Sequence, residues 1–352
     1  MVNDNFRTVQ DVVLPENQLL FVNGADEESI LLHDSGPDDN QRIFLFSNNQ
    51  LKGIARASTH FQMDGTFSKA PKIYNDGIAN HGQLLTIQAK HNGILIPVFY
   101  ILMKSKTVTQ YERVFDILSG LELFAPTSIM SDLETALMSA IQRKFDCTHS
   151  LCYYHFQESL YSWIQSHQMQ MRYNNDDAFR KFIHKFGVLA FLPVNLVLNG
   201  WQALNALYRQ NFRDDFDVRD FVNYFASSFI GLPTEDGGRD QPRYPINKWN
   251  QFDNTMNQNP RTNNAVEGWH NALNHICTHN HPKFFKFLSM IKTDMSRSRV
   301  LQVQANPIPR RRFYQNLDSN IQRLCAGLNP GMNRERILQF LESAANMFHF
   351  YV

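Results

Sequence analysis

Asp64, Asp132 and Glu267 are the acids of this sequence whose surroundings suit shared chemistry. Asp64 lies near the end of THFQMDGTF, Asp132 closes TSIMSD, and Glu267 stands inside TNNAVEGWHNALNHI. Hard divalent ions such as Mg2+ take oxygen ligands, so a protein that holds them brings carboxylates together from separate elements. Two such ions about 4 Å apart assist the attacking and the leaving oxygen of a phosphodiester. Each acid taken singly has a plainer reading. Asp64-Gly65 fits a turn. Asp132, between a strand and a helix, fits an N-cap. Glu267, three residues after Asn264, fits a capping box with Asn in the Ser/Thr role.

The elements around these acids are legible in outline. THFQMDGTF reads as a strand ending at a glycine, and QLLTIQAKH and GILIPVFYILM read as two more strands joined by a turn at Asn92-Gly93. Together they predict an antiparallel three-stranded meander. VTQYERVFDIL puts Val108, Tyr111, Val114, Phe115 and Leu118 on one helical face. TSIMSD predicts a short buried strand ending at Asp132, ETALMSAIQRKF a helix, and HSLCYYHF another short strand. This order makes a mixed sheet with helices against it. From His155 to about residue 232 the periodicity is helical only, as in Phe179, Phe182, Ile183 and Phe186, and it stops at Gly231-Leu232-Pro233. TNNAVEGWHNALNHI and FFKFLSMIKTDM predict two further helices, and the last fifty residues mix basic runs with a helix near the end. The first fifty carry short strand-like runs, QLLFV and RIFLF, between polar loops.

Composition narrows the function classes. Apolar residues make up 43% of the 352, enough for a substantial core, yet no run of about 18 apolar residues offers a membrane span. No apolar signal-peptide core opens the chain, which predicts an intracellular soluble protein. The four cysteines form no CxxC pair, so neither a common zinc finger nor a disulfide framework is expected. Net charge is only +1, but between Lys283 and Arg323 the only acids are Asp294 and Asp318. Contacts to a polyanion are therefore expected from the C-terminal third, at Lys283, Lys286, Arg310, Arg311 and Arg312.

Taken in order, DGTF on a strand, SDLETA at a strand tip, CYYHF, a helical block and RTNNAVEGWHN on a helix resemble the catalytic domain of Mutator-like (MULE) transposases. The resemblance spans roughly residues 45 to 295. It implies an α/β fold of the RNase H-like kind, a mixed sheet with an all-α insertion between the second catalytic Asp and the catalytic Glu. The organisation it implies is an N-terminal α/β segment over 1–50, the first part of the core over 51–156 and the insertion over 157–259. The closing helices with the Glu follow over 260–296, then a basic segment over 297–352. It also implies an Asp-Asp-Glu site in which Asp64, Asp132 and Glu267 bind two Mg2+ or Mn2+ ions. The activity implied is hydrolysis and strand transfer at transposon terminal repeats and into target DNA, by a homo-oligomer acting in the nucleus. A separate sequence-specific DNA-binding module or chain is expected too. Two alternatives carry different functions: a domesticated descendant kept as a DNA-binding or regulatory protein, and a different RNase H-like nuclease acting on structured nucleic acid.

Further residues gain a role beside the acids. Cys152 and His155 have the Cys-x-x-His spacing of this superfamily. They read as residues behind the acids or against DNA, as an inward strand residue followed by a helix-start polar group, or as half of a zinc site that lacks its other half. Structural zinc is not expected. His275, Cys277, His279 and His281 read as a solvated loop before Pro282, with a metal site as the other reading. Trp269 and His270 lie close to Glu267; the indole fits either stacking on an extruded base or packing in the core.

Overall fold

The computed structural model describes residues 4–23, 26–74, 82–262, 264–303 and 312–347. The chain forms two compact units. The first joins Met1–His149 to Asn264–Ile308, and the second joins Ser150–Asn263 to Pro309–Val352. The fold is mixed α/β, and no described helix is long and apolar enough to cross a membrane.

In the first unit, β1 (Leu20–Asn23) and β2 (Asp26–Ser29) form a small ribbon. The remaining strands are β3 (Leu31–Asp34), β4 (Phe44–Phe46), β5 (His60–Thr66), β6 (Gln83–His91), β7 (Ile94–Met103), β8 (Ser128–Ser131) and β9 (Thr148–Leu151). They make one sheet in the order β3-β4-β7-β6-β5-β8-β9. β5, β6 and β7 pair antiparallel, the expected meander, and β8 then lies parallel to β5. The β6–β7 turn holds because Asn92 and Gly93 both take positive φ, 49° and 81°, the geometry a two-residue hairpin of right-handed strands needs. Pro97 sits inside β7 beside a register shift opposite Ile87 and Gln88, where a missing N–H costs the ladder least.

Helices cover this sheet with the faces their periodicity predicts. α1 (Asn49–Ala57) is capped by Asn48, whose side chain accepts from Leu51 N–H, and α2 (Val108–Gly120) by Thr107, which accepts from Gln110 N–H. α2 buries Tyr111, Val114, Phe115 and Leu118, and α3 (Thr135–Lys144) buries Leu137 and Ile141. Trp269 and Leu273 from a later helix, and Phe287, Leu288 and Ile291 from the one after it, complete the same core.

The second unit begins where the sequence reading needs correcting. The run HSLCYYHF is not one strand. β9 ends at Leu151, and α4 (Tyr153–Ser166) starts two residues later. Phe156, Leu160 and Ile164 are fully buried at helical spacing, so burial along one stripe wins over extension of the strand. α5 (Asp177–Val188), α6 (Val197–Asn211) and α7 (Phe216–Phe225) follow, with Asp176 and Asp215 capping α5 and α7. Their aromatic faces close around Trp249, which stacks on Phe156 at 5.1 Å and donates its indole N–H to the carbonyls of Phe229 and Tyr244.

The chain then returns to the first unit through α8 (Asn264–Ile276) and α9 (Phe284–Val303). It ends in the second unit with α10 (Arg312–Ala326) and α11 (Arg334–Ala345), two helices where the sequence suggested one.

Candidate active site

The sheet register brings the first two acids together. In the parallel β5–β8 pair His60 faces Ser128, Phe61 faces Ile129 and Gln62 faces Met130. Asp64 lies two places beyond Gln62 and Asp132 two places beyond Met130, just past the end of β8, so the same offset brings both acids to one end of this strand pair. The plainer readings of both acids fail here. Asp64 and Gly65 lie inside β5, paired with Thr86 and Leu85, not in a turn. The residue flanking α3 is Glu134, so Asp132 does not cap that helix.

Asp64 is buried, and Asp132 is partly exposed with one oxygen buried. Asp64 is 6% exposed, and its Oδ1 accepts the backbone N–H of Gly65 at 2.8 Å. Asp132 Oδ1 is buried and accepts no hydrogen bond among the described residues. Burial, reinforced by the Glu134 carboxylate, pushes the Asp132 acid up to about 7, while Lys106 pulls the other way. A buried carboxylate oxygen with no donor is costly when charged, which agrees with an acid that keeps its proton near neutral pH. Behind Asp132, Ser131 Oγ and His149 Nε2 pair at 2.9 Å.

The third candidate acid, Glu267, belongs to α8. His270 Nδ1 stands 3.6 Å from Asp64 Oδ2, so this helix passes beside the first acid. Position 267 is one helical turn upstream of His270. The side chains of residues 264–267, and with them the capping-box reading, lie outside the described residues. Among the described residues no three His, Cys, Asp or Glu side chains converge on one ion position.

α8 is held by contacts that periodicity does not announce. Trp269 is buried in the core, and its Nε1–H donates to Asp294 Oδ2 at 2.6 Å. Tyr100 Oη donates to the same oxygen, also at 2.6 Å. The indole is thus a packing and anchoring group. Burial raises the Asp294 acid above its ordinary value. At the far end of the helix Lys69, 2% exposed, donates from Nζ to the carbonyls of Cys277 at 2.8 Å and His279 at 3.3 Å. His281 N–H donates to Ser68 O at 2.7 Å, and Lys72 N–H to Pro282 O at 3.2 Å. The segment after Asp64 is therefore laced to the segment after the Glu267 helix. The His275–His281 stretch is occupied in this lacing, with Cys277 buried.

A second network was invisible in the sequence. Tyr111 Oη donates to Glu134 Oε1 at 2.8 Å, Gln83 Nε2 donates to Tyr111 Oη, and Lys106 Nζ lies 3.6 Å from Glu134 Oε2. Burial holds the Tyr111 phenol far above its ordinary value, so it stays a proton donor. The one available signal was Glu134 itself, two residues beyond Asp132 in SDLETA. Gly65 belongs to this network by what it lacks, because a Cβ there would overlap Gln83 Oε1. Gly65→Ala is expected to displace the Gln83 amide from Tyr111 and to cost about 1–3 kcal/mol. Gly65→Ala/Gln83→Ala should recover part of that loss. Urea unfolding of the four proteins of the cycle measures the coupling, and purely additive effects would count against the network.

The remaining candidates are spread over both units. Cys152 is buried at the start of α4, and His155 is largely buried; burial pushes the imidazole down to about 4, so it is neutral at pH 7. Both belong to the second unit. Lys283 and Lys286 are exposed at the start of α9 in the first unit, Arg312 is exposed at the start of α10, and Arg310 and Arg311 lie outside the described residues. Residues 61–159 match the family model of the MULE transposase domain, a stretch that includes Asp64, Asp132, Cys152 and His155. No curated protein matches the chain.

Proposed function

We propose that this chain, which carries a MULE transposase domain, is a metal-dependent DNA transposase of the Asp-Asp-Glu type. The observation that carries the reading is the β5–β8 register, whose offset brings Asp64 and Asp132 to the same end of the strand pair, with Asp132 Oδ1 buried and without a hydrogen bond among the described residues. The strand order β7-β6-β5-β8-β9, antiparallel up to β5 and then parallel into β8, supports an RNase H-like core. The helical stretch from α4 to α7 supports an all-α insertion ahead of Glu267.

Asp64, Asp132 and Glu267 would hold two Mg2+ or Mn2+ ions, which when bound activate a water or a DNA 3′-hydroxyl and offset charge on the phosphate. The chain's own work is to converge and dry the acids. Asp132 must lose its proton to serve, Tyr111 and Lys106 hold Glu134 beside it, and His270 faces Asp64. The same reading takes transposon terminal repeats and target DNA as substrates, in a homo-oligomer and in the nucleus. Lys283, Lys286 and the Arg310–Arg312 run supply phosphate contacts, with sequence read by a separate module.

The test is a nicking assay on duplexes ending in candidate terminal repeats, with Mn2+. Wild type should cut at the element boundary, and Asp64→Asn and Glu267→Gln should each lower the rate at least about a hundredfold, as expected when charge stabilisation of the transition state is removed. DNA binding without any cutting would instead mark a domesticated regulator.

A further inference from the structure

Three polar atoms on one sheet face are buried without a hydrogen bond: Gln62 Oε1 on β5, and Thr86 Oγ1 and Gln88 Nε2 on β6. Their residues are 6%, 0% and 1% exposed. The β5–β6 register sets Gln62 opposite Gln88 and Asp64 opposite Thr86. Side chains two places apart on a strand share a face, and directly opposed antiparallel residues stand about 5 Å apart, so these four form one polar quartet. Among the described residues no other two facing strand positions both carry such an atom. The row continues to Tyr100, opposite Thr86, whose hydroxyl is already spent on Asp294.

Buried polar groups are satisfied by protein or by ordered water, and a buried water needs two to four polar partners. Gln88 Nε2 donates, Gln62 Oε1 accepts, and the Thr86 hydroxyl can do both. With a carboxylate oxygen of Asp64 these make a set that suits a molecule with two hydrogens and two lone pairs. Packing gives no reason for the set: valine has the shape of Thr86, and no protein group meets the Thr86 hydroxyl. Resting on the transposase reading, we infer that the quartet holds ordered water beneath Asp64, and that Gln62, Thr86 and Gln88 are positioning residues that act on this acid through it. The water donates to the Asp64 carboxylate and fixes its rotation, and the groups that orient a ligating carboxylate govern how well it takes a metal ion.

The experiment is titration of Mn2+ into the full chain without DNA, with the free ion followed by electron paramagnetic resonance. Thr86→Val should weaken Mn2+ binding roughly ten- to a hundredfold, with a melting temperature in metal-free buffer that is unchanged or raised, and Thr86→Ser should restore the affinity. Gln88→Met should weaken binding in the same direction. Thr86→Val/Gln88→Met should lose less than the two single losses combined, because both act through the same water. Wild-type affinity in Thr86→Val, or additive losses in the double variant, overturns the water site and leaves the transposase reading standing. A Thr86→Val protein that melts well below wild type also counts against it, since the hydroxyl then serves the fold. A folded wild type that takes up no Mn2+ overturns the transposase reading and this inference with it.

Discussion

Asp132→Asn should abolish DNA cleavage and, at pH 8 without divalent ions, make the protein harder to unfold. The two effects share one cause. Burial and Glu134 raise the Asp132 acid from 3.8 to about 7, so the folded protein holds this proton more tightly than the unfolded chain. The stability from that proton is complete below about pH 4 and is lost as pH rises through about 7. The difference corresponds to at most about 4 kcal/mol. Asn is neutral at every pH and escapes this loss, although its buried amide hydrogens need acceptors that the acid does not, which leaves a gain of about 1–3 kcal/mol at pH 8. At pH 4, where the acid keeps its proton, only the amide cost remains and the variant should melt below wild type. Mn2+ should stabilise wild type but not the variant, and its binding below pH 7 should release a proton, because the ion takes the carboxylate form. Thermal melts at pH 4 and pH 8, with and without Mn2+, measure all of this. A variant less stable than wild type at pH 8 would show that Asp132 is a structural acid.

Lys69→Met is expected to be nearly as damaging from outside the acid cluster. Lys69 Nζ supplies hydrogen bonds to the carbonyls of Cys277 and His279, and methionine fills the same space with no donor. The buried Cys277 carbonyl and the part-buried His279 carbonyl lose this donor, at a cost of about 1–3 kcal/mol. The position of α8 against β5 depends on this lacing, and a shift of about 1 Å in a reacting constellation can lower rate about a hundredfold. The expected result is a lower urea midpoint together with a cleavage defect that persists at temperatures where the variant remains folded. Full cleavage activity in a destabilised variant would limit Lys69 to a structural part.

These two residues also mark how much of the molecule could be read in advance. Asp64 and Asp132 were legible because each sits in a short apolar run whose period and length betray a strand, and a parallel pair then needs only the right offset to align them. The buried faces of α2 and α3 were legible for the same reason. Tyr111 was counted as part of an apolar face, which it is, but its hydroxyl works for Glu134 and periodicity says nothing about hydroxyls. Lys69 was silent because its partners are main-chain carbonyls more than two hundred residues away, and carbonyls leave no trace in residue types. The boundary between β9 and α4 was missed because Leu151-Cys152-Tyr153 contains no breaker, and over so short a run the two periods agree. β3 was missed because its residues, LLHD, do not alternate and are only partly buried.

The first unit is written in two pieces, with all of Ser150–Asn263 between them. A ribosome delivers β5 through β8 early, so the Asp64–Asp132 pair can form while the rest of the chain is still being made. The helix bearing Glu267 emerges only after the whole intervening stretch, and its docking must also close that long loop, at an entropy cost that grows only slowly with length. On the transposase reading, chemistry is thus acquired only after the intervening stretch has been made. A chain that stops short of α8 owns the sheet and two of the candidate acids but not the third.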